Sequence, residues 1–495
     1  MELVKNKLRF RSSVHRIAWF YGVPIALTAL LYFVRLDEVT PAQLIVAFFL
    51  LLLPWRSYVI WREGGREELP IYAMLGAMFW LAYGVPLFLE EHSLFIFFQP
   101  QTHHVPEDAV TAALLMALVG MVCLWLGMKS GIGRFVSPRI LLSFEFTPSS
   151  VTYLRSVVVI GIILSVFRTS FLVLGEGGRQ FVVIMLSVVP MLAFAVLFSN
   201  FVRGKSSVID KVLILAFLLV RFVSGLSGGL LADSASVIVI CGAVYLTERR
   251  KVPRAAVVIV LLFYLFFQVG KNDFRKVYWL ENEEGGRVER VTFWTQASLE
   301  KWSEAISNPN AENIRNVINP SVSRVSLLTQ TANVIDQTPS VVPYQYGRLY
   351  SYMVVTWIPR FLWPEKPSVN EANQFYQVAY GLTAEEELAG VSIAVGYLAE
   401  SFINFGWFGV VAVMFTIGVF FDFYQKTFVA VAGGVLMNGL GLVLLPQLVS
   451  LEFQMAQYLS GIAQTVIVTL IVMLPVIRLR RAKGRARLIP VSQAQ

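Results

Sequence analysis

Long apolar stretches separated by short polar turns run through most of the chain, and their length is its first structural statement. A helix that crosses a bilayer needs roughly 20 predominantly apolar residues. On that length the pattern predicts spans over 17–34, 40–55, 70–89, 109–127, 154–174, 181–202, 211–227, 229–247 and 254–270. After an interval it resumes over 406–424, 428–448 and 457–477. The interval itself, from Gly270 to about Gly390, is mixed and charged sequence that no bilayer-length apolar run interrupts. From Leu388 to Phe421 the chain is apolar for longer than one span needs, broken chiefly by Glu400 and Asn404. Residues 391–403 are therefore expected as an interfacial or re-entrant helix, with a turn at Asn404-Phe405-Gly406 leading into the tenth span.

Composition agrees with this reading. The chain is 56% hydrophobic and 15% charged, with a mean hydropathy of +0.64, whereas soluble domains carry about a quarter charged residues. The expected fold class is an all-α polytopic integral membrane protein with about twelve transmembrane helices. Four regions follow: a membrane domain over 1–270, a large loop with interfacial helices over 271–405, a second membrane domain over 406–478, and a basic tail over 479–495.

The cations orient the chain. Short cytoplasmic loops are enriched in Lys and Arg. The amino-terminal segment holds Lys5, Lys7, Arg9, Arg11 and Arg16, and the tail holds Arg478, Arg480, Arg481, Lys483, Arg485 and Arg487. Both ends are thus expected on the cytoplasmic side, which requires an even number of crossings. Alternate connections agree, with Arg56/Arg62/Arg66, Lys129/Arg134/Arg139, Arg203/Lys205/Lys211 and Arg249/Arg250/Lys251/Arg254. Residues 271–390 then face outward. The basic-then-apolar start is too long and lacks a small-residue cleavage site, so it reads as a retained first span. The net charge of +9 sits in these turns, where it meets anionic lipid headgroups, and leaves no basic stripe for nucleic acid.

Several chemistries are absent from the pattern. No phosphate-binding Gly-x-x-x-x-Gly-Lys-Ser/Thr loop, Asp-x-Asp or His-Glu-x-x-His occurs. His103 and His104 are adjacent and read as loop histidines; Cys123 and Cys241 fall inside predicted spans and read as apolar filler. Neither a metal nor a cofactor is expected. An enzyme of this kind would need a substrate that brings its own activation to the outer face, and a sugar on a polyprenyl pyrophosphate does so.

A pyrophosphate leaving group calls for cations, and Arg suits it because its planar fork donates two parallel hydrogen bonds to phosphate oxygens. Lys271, Arg275 and Lys276 follow the ninth predicted span, with Asp273 between them as an orienting partner; interfacial snorkelling is the other reading. Arg360, in Trp357-Ile-Pro-Arg-Phe-Leu-Trp-Pro364, sits in an apolar, aromatic setting where a guanidinium needs an anion. Lys366 is held on a stiff turn between Pro364 and Pro367. Arg324 heads an amphipathic stretch, where function and a surface ion pair weigh equally. Glu400 is the best buried carboxylate, either a general base or the partner of one of the arginines. Arg168, Arg179, Arg221 and Asp233 lie near outer helix ends; an Arg221–Asp233 pair is the favoured structural reading, with pyrophosphate contact by Arg221 or Arg179 behind it. Tyr350, Trp357 and Trp363 could stack on sugars or anchor the interface.

The element Gly347-x-x-Tyr350…Ile358-Pro-Arg-Phe-Leu-Trp-Pro-x-Lys-Pro367, followed by Gly396…Glu400…Asn404-Phe-Gly406, resembles the Wzy-type O-antigen and oligosaccharide repeat-unit polymerases. The sequence likeness covers about 271–410, and the likeness in span pattern covers most of the chain. The resemblance implies a GT-C-like membrane glycosyltransferase of the bacterial inner membrane, multi-pass, with both termini cytoplasmic and the main loop periplasmic. It implies polymerisation of undecaprenyl-pyrophosphate-linked oligosaccharides without metal or nucleotide, alongside a chain-length regulator and a flippase. Glu400 and Arg360 would then be catalytic, and Lys271, Arg275, Arg324, Tyr350, Lys366, Arg221 and Arg179 would bind the lipid-linked glycan. Many such relatives carry an Arg just after the small residues of an outer loop; Ser227-Gly-Gly here has none, which shifts weight to Arg221. Two alternatives share parts of the pattern: an O-antigen ligase acting on a lipid A core, and a lipid-linked oligosaccharide flippase.

Overall fold

In the computed structural model the described residues are 2–35, 39–64, 69–96, 101–136, 140–166, 176–281, 283–355, 363, 365, 367, 370–388, 393, 395–429 and 434–481. Their regular structure is almost wholly helical. The first stretch holds α1 (Glu2–Val34), α2 (Pro41–Glu63), α3 (Ile71–Phe79), α4 (Pro86–Leu89), α5 (Glu107–Lys129) and α6 (Gly133–Val136). Next come α7 (Pro148–Val166), α8 (Glu176–Val202), α9 (Val208–Ser227), α10 (Leu231–Arg249), α11 (Arg254–Val269) and α12 (Lys271–Arg275). The interval between the two apolar regions holds α13 (Arg287–Ser307), α14 (Ala311–Ser323), α15 (Leu328–Gln337), α16 (Arg348–Val355) and α17 (Glu371–Ala379). The chain closes with α18 (Gly396–Tyr424), α19 (Gly434–Val449) and α20 (Met455–Met473).

A helix lies in each segment that the apolar pattern marks. Among the described residues seven helices are long and apolar enough to cross a membrane, and an eighth is added if α11 and the segment Lys271–Trp279, bent by 55°, form one broken span. Ala18–Val34, Val188–Val202 and Val435–Val449 are apolar but shorter. The chain is an all-α protein with the helices of a membrane-embedded one.

Local chemistry sets the helix ends. Thr40 and Gln43 form a capping box at the start of α2, and Ser207 and Asp210 form one at the start of α9, each satisfying backbone N–H groups that a helix start leaves unpaired. α5 opens on Glu107 and Asp108 and ends on Lys129, charges that complement its dipole. Two short antiparallel ribbons complete the structure: β1 (Ser93–Ile96) with β2 (Gln101–His104), and β3 (Ile140–Ser143) with β4 (Arg478–Arg481). The second ribbon lies at the start of the basic tail. Its first residues are a strand, and the pairing brings the tail to the same end of the bundle as the connection after α5.

The core runs along α5 and α18, where Leu114, Ala117, Val410 and Met414 are fully buried. This crossing depends on two glycines. A Cβ on Gly127 would run into the Phe415 carbonyl, and one on Gly418 into the Leu124 carbonyl, so the backbones approach as only small residues allow. α3 and α7 repeat the device, with Gly76 against Pro54 of α2 and Gly161 against Pro190 of α8. Cys123 is buried and Cys241 half-buried, and both are free thiols.

Gly418→Leu should therefore force α5 and α18 apart. The expected loss is about 2–3 kcal/mol of stability, read by thermal unfolding of the purified full chain; an unchanged midpoint would mean the crossing is not close-packed.

Candidate functional site

The Glu400 region is built by a helix that stops and restarts. Residues 396–404 form a first helical segment, Phe405 (φ −141°, ψ 16°) and Gly406 (φ 60°, ψ −149°) break it, and α18 then continues. The break lies where the Asn404-Phe-Gly406 turn was expected. Gly406 has backbone angles that essentially only glycine adopts. A helix end leaves its last carbonyls unpaired, and here the segment before α16 supplies the donors. Gln345 N–H donates to the Ile403 carbonyl and Tyr346 N–H to that of Asn404, both at 2.9 Å. The Asn404 side chain completes the clamp, its Oδ1 accepting from Gly347 N–H at 3.0 Å and its Nδ2 donating to the Glu400 carbonyl at 2.9 Å.

Glu400 is completely buried. Its Oε2 accepts from the Met455 N–H at 2.7 Å, so the carboxylate caps the first turn of α20 at the positive end of that helix dipole. The structural partner expected for it was an arginine; the structure gives a helix start instead. Its Oε1 is buried without a hydrogen-bond partner. Tyr350, one turn into α16, has a hydroxyl that is likewise buried and unpartnered, and its ring lies 6.2 Å from that of Phe405. Burial, and after it the Glu400 charge, holds the Tyr350 hydroxyl protonated far above its ordinary range. The two residues are thus brought within electrostatic reach of each other.

A cationic cluster is tied to Glu400 through the α19–α20 connection. Lys271, Arg275, Arg324 and Glu452 act electrostatically on one another, though they come from α12, the end of α14 and the α19–α20 connection. Lys271 is buried. Arg275 stacks 4.4 Å over the Trp279 ring, and its Nε is buried without a hydrogen-bond partner. Arg324 Nη1 donates to Glu452 Oε1 at 2.6 Å. Burial works against the Arg324 charge, and the Glu452 charge and hydrogen bond outweigh it, so the guanidinium pKa rises. Glu452 lies three residues before Met455, so one short connection carries both the partner of Arg324 and the cap of Glu400.

Supporting contacts fix the frame. Gln268 Nε2 donates to the Pro320 carbonyl at 3.1 Å, and the buried Trp294 Nε1 to that of Phe267 at 2.8 Å, seating α14 and α13 on the end of α11. Ser326 Oγ donates to Glu90, whose carboxyl is pushed above its usual range by burial, against the hydrogen bonds of Ser326 and Ser323.

Other expectations fare differently. Asp273 does not orient the neighbouring cations; it pairs with Lys301 of α13 at 2.5 Å, because α13 packs directly along α12. Arg221 is half-buried near the end of α9 and is not among the charges acting on Lys271. Arg179 lies on α8, and its side chain is outside the described residues, as are Arg168, Arg360 and Lys366 entirely. Sequence reasoning took the chain to lack a Gly-x-Ser-x-Gly elbow, but Gly225-Leu-Ser227-Gly-Gly229 has its letters; Ser227 closes α9 and donates to the Ser224 carbonyl at 3.3 Å, so no strand-to-helix turn presents it. Sequence reasoning missed Glu452. Its signal was available: it is the sole carboxylate after Asp422. Among the described residues no three of His, Cys, Asp and Glu gather as a metal site.

These helices and this buried polar site define an all-α membrane-embedded protein. Residues 103–482 match the family described as a domain of unknown function, DUF8712, and the chain belongs to that family. No curated protein and no solved structure matches the chain.

Asn404→Ala should leave the Gly347 N–H without its acceptor and cost about 1–3 kcal/mol. Hydrogen exchange at the amides of 345–347 should accelerate while the α5–α18 core stays protected; equal protection in both would show that the clamp does not depend on Asn404.

Proposed function

We propose that this protein is a bacterial inner-membrane glycosyltransferase that polymerises undecaprenyl-pyrophosphate-linked oligosaccharide repeat units at the periplasmic face. The observation that carries the reading is the gathering of Lys271, Arg275 and Arg324 around Glu452, on the same short connection whose Met455 is bonded to the buried Glu400. Twelve crossings with cytoplasmic termini fit the basic turns, and the β3–β4 pairing of the tail with the α5–α7 connection suits the same arrangement.

The chemistry follows from the charges. The growing chain on its polyprenyl pyrophosphate is the donor, and a hydroxyl of the incoming repeat unit attacks the anomeric carbon. The bond to the pyrophosphate oxygen breaks, and Lys271, Arg275, Arg324, Arg360 and Lys366 hold the departing negative charge. Glu452 keeps Arg324 ordered until the anionic substrate takes its place. Glu400 accepts the hydroxyl proton on Oε1 while Met455 N–H fixes Oε2, and Tyr350 positions the acceptor. Arg221 and Arg179 serve the lipid-linked glycan at a greater distance. Full burial of Glu400 favours a second reading of that residue alone, as a purely structural cap of α20.

With wild-type expression, Arg324→Ala and Arg360→Ala should each lower chain lengthening by roughly a hundredfold while capping of the lipid A core with single repeat units survives. Full-length polymer from both variants would sink the site. Glu400→Gln should slow transfer and spare donor binding; unchanged turnover removes it as base and leaves the cap. In a deletion strain, single lipid-linked units outside mark a lost polymerase. Units trapped inside would mark a flippase, and long lipid-linked chains a ligase.

A further inference from the structure

The end of the bundle that carries the basic turns holds a second polar feature, which the proposed chemistry does not use. Between the start of α7, the end of α8 and the start of α9 lies an open cavity of about 550 Å3, within the range of ligand sites, roughly 300–1,000 Å3. Its walls are held by hydrogen bonds. α8 stops at Val202, Gly204 turns the chain with φ +77°, and Lys205 N–H donates to the Asn200 carbonyl at 3.0 Å. Asn200 Nδ2 returns a bond to the Lys205 carbonyl at 3.2 Å. On the facing wall Arg155 of α7 donates from Nε to Asp210 Oδ1 at 2.8 Å and from Nη2 to Ser207 Oγ at 2.9 Å.

Charge and shape then narrow the occupant. Arg155, Arg203 and Lys205 all line the cavity. Asp210, the acid on the lining, is held by Arg155, and Glu248 behind it accepts both bonds of the Arg203 fork at 2.8 Å. Lys205 has no acidic partner among the described residues, so the walls keep a net positive charge. Thr147 and Thr152 stand on the same lining with their hydroxyls bonded within the protein, Thr152 donating to the Pro148 carbonyl at 2.8 Å, while Phe146, Pro148 and Val151 give it an apolar edge. Cations fixed in place beside an apolar lip match a phosphate ester better than a neutral sugar.

We propose that this cavity binds a phosphate-bearing anion, supplied either by the headgroup of an acidic phospholipid in the adjoining leaflet or by a soluble phosphate. Arg155 and Arg203 are fixed by their acids and shape the site, and Lys205 provides the uncompensated charge. The site is independent of the polymerase reading and stands at the other end of the bundle from Glu400.

The test uses the purified full-length chain in nanodiscs. One arm measures retention of phosphatidylglycerol against phosphatidylcholine by native mass spectrometry. The other titrates inorganic phosphate against thermal unfolding in phosphatidylcholine alone. Lys205→Gln should weaken binding roughly fivefold, the contribution of about one cation near a membrane surface. Thr152→Glu, which adds an acid to an exposed position of the lining, should weaken it further. Lys211→Gln removes the same charge from outside the cavity and should leave binding unchanged. Loss in the first arm assigns the headgroup, and loss in the second assigns soluble phosphate. The proposal is overturned if neither ligand binds, or if Lys211→Gln weakens binding as much as Lys205→Gln does.

Discussion

A helix that stops in apolar surroundings must hand its last carbonyls to donors from elsewhere, because no water is there to take them. At Ile403 and Asn404 those donors are the N–H groups of Gln345 and Tyr346. Everything at the Glu400 end depends on this exchange. It fixes the segment before α16, which places Tyr350, and it lets Gly406 redirect α18 toward its crossing with α5. Asn404 serves both sides at once, holding Gly347 with its oxygen and the Glu400 carbonyl with its nitrogen. The same logic runs in reverse at α20, where the unpaired N–H of Met455 finds a carboxylate oxygen of Glu400. A helix end and a helix start are thus joined through one residue and its neighbour a turn away.

The cations at this end obey a looser rule. Arg324 and Glu452 retain side-chain exposures of 45% and 31%, and a pair so open to solvent contributes little stability, about 0–1 kcal/mol. Such a pair can exchange its acid for another anion at small cost, whereas Glu400 cannot give up its Met455 partner without moving the helices around it. Lys301 and Asp273 are similarly exposed and hold α13 on α12 rather than holding charge in reserve. Within one small region, then, the polar groups divide into those that fix the frame and those whose partners are replaceable.

How much of this was legible depended on range. Apolar run length marked where the membrane-type helices fall, since bilayer thickness imposes it residue by residue. The break after Asn404 was legible too, because a run longer than a span, with Asn and Gly inside it, has few other solutions. Pairings across the chain were not. Arg324 meets Glu452 across 128 positions and Glu400 meets Met455 across 55, and neither partner is marked by local pattern. Asp273 misled for the same reason: its sequence neighbours are cations, but helical geometry turned it toward α13. The helices over 271–405 have an apolar seat on the end of α11, with Trp294 as the anchor, and that long-range seat carries no local signal.

Irregular backbone is tolerated at membrane depth only where protein covers it or water reaches it. The break in α18 meets the first condition through Tyr344, Gln345 and Tyr346, yet Phe405 and Trp407 beside it remain 39% and 40% exposed. Aromatic rings that half emerge are at home at a membrane–water boundary. The break is therefore suited to an interfacial depth, with its polar backbone turned inward and its aromatic flank outward. Under the polymerase reading that depth is the useful one. A polyprenyl chain lies among lipid tails, so its pyrophosphate would stand at that boundary. The carboxylate of Glu400, one helical turn inside the break, stands behind that boundary and is shielded from bulk water.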